Sequence, residues 1–91
     1  MKDIQKIIMM SPLIGFKTKI IKSNSKEMIK LAGKIIDETK NTIKMELGDR
    51  EIVVAKKSNT FLIFAGKTRI EIDGEKIMFR PEEKAKNKIA G

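Results

Sequence analysis

Residues 31–47, LAGKIIDETKNTIKMEL, decide how this chain is read. Two patterned runs flank the polar hexapeptide DETKNT at positions 37–42. Before it, Leu31, Gly33 and Ile35 alternate with Lys34; after it, Ile43, Met45 and Leu47 alternate with Lys44 and Glu46. A period of two is the signature of a strand with one face against a core. The stretch therefore reads as two strands joined by a turn. Asp37 and Thr39 have side chains able to bond the turn's own backbone, and Asn41 tolerates a left-handed φ. Gly33, inside a strand pattern, predicts a sharp bend or bulge.

The same period extends outward in both directions. Ile14, Phe16, Thr18 and Ile20 are expected on one face of a first strand, with Lys17 and Lys19 on the other. Gly48-Asp49 predicts a tight turn. Ile52 to Ala55 and Phe61 to Ala65 are continuous apolar runs, the pattern of strands covered on both faces. All four Phe residues, Phe16, Phe61, Phe64 and Phe79, fall in apolar patterns and are expected in the core. Ile70 and Ile72 alternate with Arg69 and Glu71, and Asp73-Gly74 is a strong hairpin dipeptide before Ile77 and Phe79. Ile4, Ile7 and Ile8 have helical spacing up to Pro12, and Pro81-Glu82-Glu83 is a helix start. The expected architecture is mainly β. It is a small barrel or strongly curled antiparallel sheet of about six strands over 12–80, with an N-terminal helix or arm at 1–11 and a C-terminal helix and tail at 81–91.

Composition narrows the function. Among 91 residues, 20 Lys and Arg outnumber 12 Asp and Glu, for a net charge of +8. Such an excess repels itself in a compact domain and favours a polyanionic partner. The excess is also uneven. Residues 12–36 hold six Lys and one Glu, net +5, and residues 55–70 hold Lys56, Lys57, Lys67 and Arg69 without an acid, net +4. Residues 37–54 hold three bases and five acids, net −2. Bases gathered in strand-rich blocks predict a binding face made of Lys17, Lys19, Lys34, Lys56, Lys57, Lys67 and Arg69, extended by Arg80 and Lys84.

Chemistry of the chain's own is not expected. There is no His and no Cys, so the common general base, the usual nucleophile–base pairs and nitrogen- or sulfur-ligated zinc are excluded. Asp37-Glu38, Asp73 with Glu75, and Glu82-Glu83 are the carboxylate pairs left, and each is better explained by a turn or a helix start. No catalytic residue, metal site or bound cofactor is assigned. The longest apolar run of the N-terminus, IIMM, is too short for a signal sequence or a membrane span. The expected compartment is the cytoplasm, with no membrane partner. With the Phe residues assigned to the core, recognition would rest on Lys and Arg contacts to phosphate, which read the shape of structured RNA more than its sequence.

The run LAGKIIDETKNTIKME resembles the signature of the archaeal ribonuclease P protein component 1 family: an apolar residue, Gly, a base, two β-branched residues, then D-E-T-x-N-T and a second strand. LIGFKTKIIKSNS resembles the family's opening strand and loop, and IEIDGEKIMFRPEEK its closing hairpin and the Arg-Pro-Glu of its last helix. Two departures stand out. Lys30 replaces a second Gly often found shortly before Gly33, and Lys84 stands where an Arg is common. The resemblance implies an Sm-like barrel whose hinge, the turn read above with Asp37, Thr39 and Asn41, joins strands that clamp the RNA subunit; Gly74 is the turn residue of the later Asp73-Gly74 dipeptide. It implies that this RNA, with Mg²⁺, cuts the 5′ leader from precursor tRNA. It also implies pairing with a zinc-ribbon protein subunit, partly through Ile4, Ile7 and Ile8, within a set of other ribonuclease P proteins. Two competing readings are a KOW- or SH3-like ribosomal or translation-factor domain and a self-assembling Sm-type ring.

Overall fold

The computed structural model describes the backbone from Lys2 to Met78, with side chains from Lys6 onward. A helix α1 (Lys2–Met9) precedes six strands: β1 (Lys17–Ser23), β2 (Ala32–Glu38), β3 (Thr42–Glu46), β4 (Glu51–Ala55), β5 (Asn59–Ala65) and β6 (Thr68–Asp73). A 3₁₀ turn, Gly74–Ile77, follows β6. The strands form one antiparallel sheet in the order β4-β3-β2-β1-β5-β6. The first strand is thus central, paired with β2 on one side and β5 on the other. Register shifts between Ile20 and Lys22 and between Ile35 and Asp37 insert an extra residue, which bends and twists the sheet locally. The sheet is barrel-like but not closed: β4 and β6 are its edges.

The concave face carries the core. Ile20, Ile35, Ile43, Met45, Val54, Phe61, Ile63, Ile70 and Ile72 all point inward, joined by Leu13 and Ile77 from outside the strands. The period-two expectation holds in β3 and β6 and, as far as Ile35, in β2, where the bulge then shifts the phase so that Glu38 is the next buried residue. It fails ahead of β1, where Gly15 takes a φ of 100° and turns the chain. There Leu13 is buried and Ile14 exposed, because the Phe16 N–H closes a turn on the Leu13 carbonyl (3.1 Å). The continuous apolar runs are not covered on both faces. Val53 is 58% exposed on edge strand β4. In β5, Phe61 and Ile63 are buried while Leu62 and Phe64 lie half-buried on the convex side. Among the described residues no second layer covers that side.

The hinge contains the least expected feature of the fold. Glu38 and Lys56 are both inside, and their side chains have no solvent exposure. The Lys56 Nζ donates to Glu38 Oε2 and to the Ile77 carbonyl, each at 2.8 Å. The Leu13 N–H donates to the other carboxylate oxygen at 2.9 Å. Lys56 follows edge strand β4, and Ile77 follows edge strand β6. The ammonium therefore spans the gap that the backbone ladder leaves open. Lys56 was expected on the RNA face; its burial removes it from that face.

Gly74 belongs to the same arrangement. A Cβ there would collide with the Lys56 carbonyl oxygen and stand 2.8 Å from the Asn59 carbonyl oxygen. The expected hairpin at Asp73-Gly74 is not formed. Asp73 instead caps the 3₁₀ turn, accepting the Glu75 N–H at 3.1 Å, and Ile77 enters the core. Phe79, expected in the returning strand, lies outside the described residues, as does the helix expected at 81–91.

The Thr39–Thr42 turn closes through side chains as expected. Thr39 Oγ1 accepts the Thr42 N–H at 3.0 Å, and Asp37 Oδ1 accepts the Glu38 N–H at 2.9 Å. Asn41, however, does not have the expected left-handed backbone. Among described non-glycine residues a positive φ occurs at Lys30 (78°) and Ser58 (68°). Lys30 is the position at which the resemblance led to a Gly being expected.

Two stability outcomes follow. Lys56→Met and Glu38→Gln should each cost roughly 3–5 kcal/mol, since each strands a buried charge. The double variant should cost clearly less than the sum, a coupling read from urea melts; additive losses would mean that the two side chains do not meet in solution. At Lys30, Gly should be neutral or up to about 1 kcal/mol more stable, and Val at least about 1 kcal/mol less stable. Equal melts for the two Lys30 variants would show an ordinary φ there.

Candidate nucleic-acid interface

In an antiparallel sheet, residues directly opposite one another share a face. The register then defines one row across the convex side: Glu51 in β4, Glu46 in β3, Lys34 in β2, Lys17 in β1, Phe64 in β5 and Arg69 in β6. The row is divided by charge. Its β4–β3 end is acidic and its β2–β1–β5–β6 end is basic. Lys19, two residues along β1 from Lys17, adds a second base between Ala32 and Leu62 and is half-buried by them. Lys67 is exposed in the two-residue β5–β6 turn beside the row. Gly66 supplies the positive φ (62°) at the first turn position, which a type II′ hairpin needs.

Lys17, Lys19, Lys34, Lys67 and Arg69 are thus brought together as the sequence predicted. Lys57 is not. It is exposed in the connection between β4 and β5, at the opposite end of β5 from Phe64. Arg80 and Lys84 lie outside the described residues. On the acidic side, Lys44 pairs with Glu51 at 3.3 Å, so positive charge there is compensated. Among the described residues, no acid forms an ion pair within 4.0 Å of Lys17, Lys19, Lys34, Lys67 or Arg69. The excess charge is left to meet a polyanion.

The aromatic on this face was missed by sequence reasoning. Phe64 lies on the convex side with Arg69 Cζ 5.8 Å from its ring centroid, within cation–π range. Strict alternation through FLIFA could have revealed it, since Phe61 and Ile63 facing inward puts Leu62 and Phe64 outward. Three of the candidate carboxylates are occupied by structure: Asp37 and Asp73 each accept a backbone N–H two residues away or nearer, and Glu38 is held by Lys56 and the Leu13 N–H, while Glu82 and Glu83 lie outside the described residues. Among the described residues no three acidic side chains converge to hold a metal ion. No described helix is long and apolar enough to cross a membrane. On α1, Ile7 is 50% exposed, whereas Ile8 packs on the core; the side chain of Ile4 lies outside the described set.

Comparison with known proteins separates the readings that the sequence left open. Residues 5–87 match the family model for ribonuclease P/MRP subunit p29. This chain belongs to that family. The ribonuclease P protein component 1 of Methanocaldococcus jannaschii is 40% identical over 83 residues, covering 90% of this chain and 87% of that protein. That of Methanothermobacter thermautotrophicus is 37% identical over 79 residues, covering 85% of each. The solved structure of Mth11, a homologue of the human RNase P protein Rpp29, superposes with a TM-score of 0.59 at 37% identity, over 78% of this chain and 94% of that one. Membership in the ribonuclease P/MRP p29 family sets aside the KOW-type and Sm-ring readings.

The basic row makes a quantitative prediction. Lys17→Gln with Lys34→Gln should weaken RNA binding and reduce the log–log salt slope by nearly two, just under one for each phosphate no longer neutralised. Lys40→Gln with Lys57→Gln, the same charge change in the connections, should leave the slope close to wild type. Affinities for ribonuclease P RNA across a salt series, with thermal melts as a control, check this. Equal slopes for the two pairs would remove the row from the interface.

Proposed function

We propose that this chain is the RNA-binding protein subunit of ribonuclease P, stabilising the catalytic RNA that removes the 5′ leader from precursor tRNA. The observation that carries the reading is the family match across residues 5–87, and the basic half of the convex row supports it. RNA helices that pack closely repel through their phosphates. A rigid sheet with Lys17, Lys34 and Arg69 fixed by backbone pairing supplies counter-charge at set spacing, which favours the packed RNA.

The chemical step belongs to the RNA, whose Mg²⁺ ions supply activation of water and stabilisation of the leaving oxygen when bound. This chain contributes positioning and takes no cofactor of its own. Contact with precursor tRNA comes through the holoenzyme. A zinc-ribbon subunit is the proposed protein partner at α1, where Ile7 offers an exposed apolar side chain, and further ribonuclease P proteins complete the particle. The proposed compartment is the cytoplasm.

Reconstitution tests the proposal. Ribonuclease P RNA assembled with the full protein set should cleave precursor tRNA at the mature 5′ end, and omission of this chain should raise the Mg²⁺ needed for the same rate. The chain alone with precursor tRNA and Mg²⁺ should give no site-specific cut. Unchanged activity on omission would overturn the subunit role; cleavage by the chain alone would overturn the assignment of chemistry to the RNA.

A further inference from the structure

Phosphate contacts do not need an aromatic ring, yet the centre of the basic row holds one. Phe64 stands between Lys17 on β1 and Arg69 on β6. Arg69 attends the ring from the β6 side. On the β1 side a depression of about 410 Å³ opens, within the range of small-ligand sites. Its lining is Phe64, Thr18, Ala32 and Gly33, with Lys17 and Lys34. The two Lys residues are directly opposite each other and exposed, so their ammonium groups rim the depression. Thr18 is itself held, its hydroxyl donating to the Leu62 carbonyl at 3.0 Å, and presents little free polarity to an occupant. The site combines an aromatic wall, an apolar floor and a cationic rim.

An unpaired nucleobase has the matching chemistry: a planar apolar face joined on both sides to anionic phosphates. An apolar side chain of a protein would fill the floor but leave the Lys rim unmatched. A duplex would meet the rim but offer no free base face. We propose that this depression receives one unpaired base of bound RNA, stacked on Phe64, with Lys17 and Lys34 on the flanking phosphates. The inference rests on the RNA-binding reading above and adds to it a preference for unpaired nucleotides. Recognition by stacking tolerates any base, so no sequence preference is implied.

The test uses the full chain and three probes: a short oligouridylate, an abasic ribose-phosphate oligomer of equal length, and a fully paired RNA duplex of equal length. Wild type should bind oligouridylate about tenfold tighter than the abasic oligomer, toward the lower end of what stacking one base supplies. Phe64→Leu, which keeps an apolar residue in the sheet, should erase that gap, leave abasic and duplex binding unchanged, and leave the salt slope unchanged. Phe64→Trp should keep or widen the gap. If Phe64→Leu leaves the gap intact while Lys17→Gln with Lys34→Gln flattens the salt slope, RNA binds this face without stacking and the proposal fails alone. If Phe64→Leu weakens all three probes alike and lowers the melting temperature, the ring is structural and the proposal fails. If neither set of variants alters binding to any probe, the RNA face itself is misplaced.

Discussion

Glu38 and Lys56 carry opposite charges into an interior that water does not reach, and the shape of the sheet depends on their meeting there. Removing such ions from water costs several kcal/mol each, and the pair is sustained only where further hydrogen bonds satisfy it. Here the backbone provides them: the Leu13 N–H on the carboxylate, the Ile77 carbonyl on the ammonium. Those four groups come from the segment before β1, the end of β2, the residue after β4 and the turn after β6. An open six-strand sheet has two unpaired edges that could splay. The ion pair gathers both edges at one point, and Gly74 can approach the Lys56 backbone because it has no side chain to obstruct it.

Burying one acid with one base leaves the surface excess unchanged, so the net +8 must still be accommodated outside. The register sorts it. Acids occupy the β3–β4 end of the transverse row and bases the β2–β1–β5–β6 end, so self-repulsion is concentrated on a surface that gains from a polyanion. The core and the interface are thus coupled through strand pairing: the same register that buries Thr18, Ile35 and Ile63 fixes Lys17, Lys34 and Phe64 in line on the other side.

The strands at 32–38, 42–46 and 68–73 were legible because half-burial imposes a period of two that local sequence displays. Lys56 was not, because nothing in the dipeptide Lys56-Lys57 distinguishes a lysine whose partner lies 18 residues earlier from one in solvent. Phe64 was misplaced because an uninterrupted apolar run suggests two covered faces, and the described residues cover only the concave face of β5. Asp73-Gly74 has the composition of a hairpin, yet the contact of Gly74 with a distant carbonyl, not local turn chemistry, decides its use. The described non-glycine residues with a positive φ, Lys30 and Ser58, are types that give no local warning of it. In each miss a tertiary constraint outweighed a local preference. The shared face of Lys17, Lys34 and Arg69 was legible, since exposure and alternation are local properties.

The place of β1 in the sheet has a kinetic consequence. The β2–β3–β4 meander and the β5–β6 hairpin each consist of neighbouring strands joined by short connections, so their pairing closes small loops. Joining them requires β1 to bridge the two, as in the bond between Thr18 and Leu62, 44 residues apart. Non-local pairing of this kind is the slow step expected for such a topology. The seam it makes is also where Lys34, Lys17 and Phe64 come into line. A partly folded chain would hold its bases but not their arrangement. Any ligand that grips all three therefore binds only the docked form, and draws the folding equilibrium toward completion by mass action.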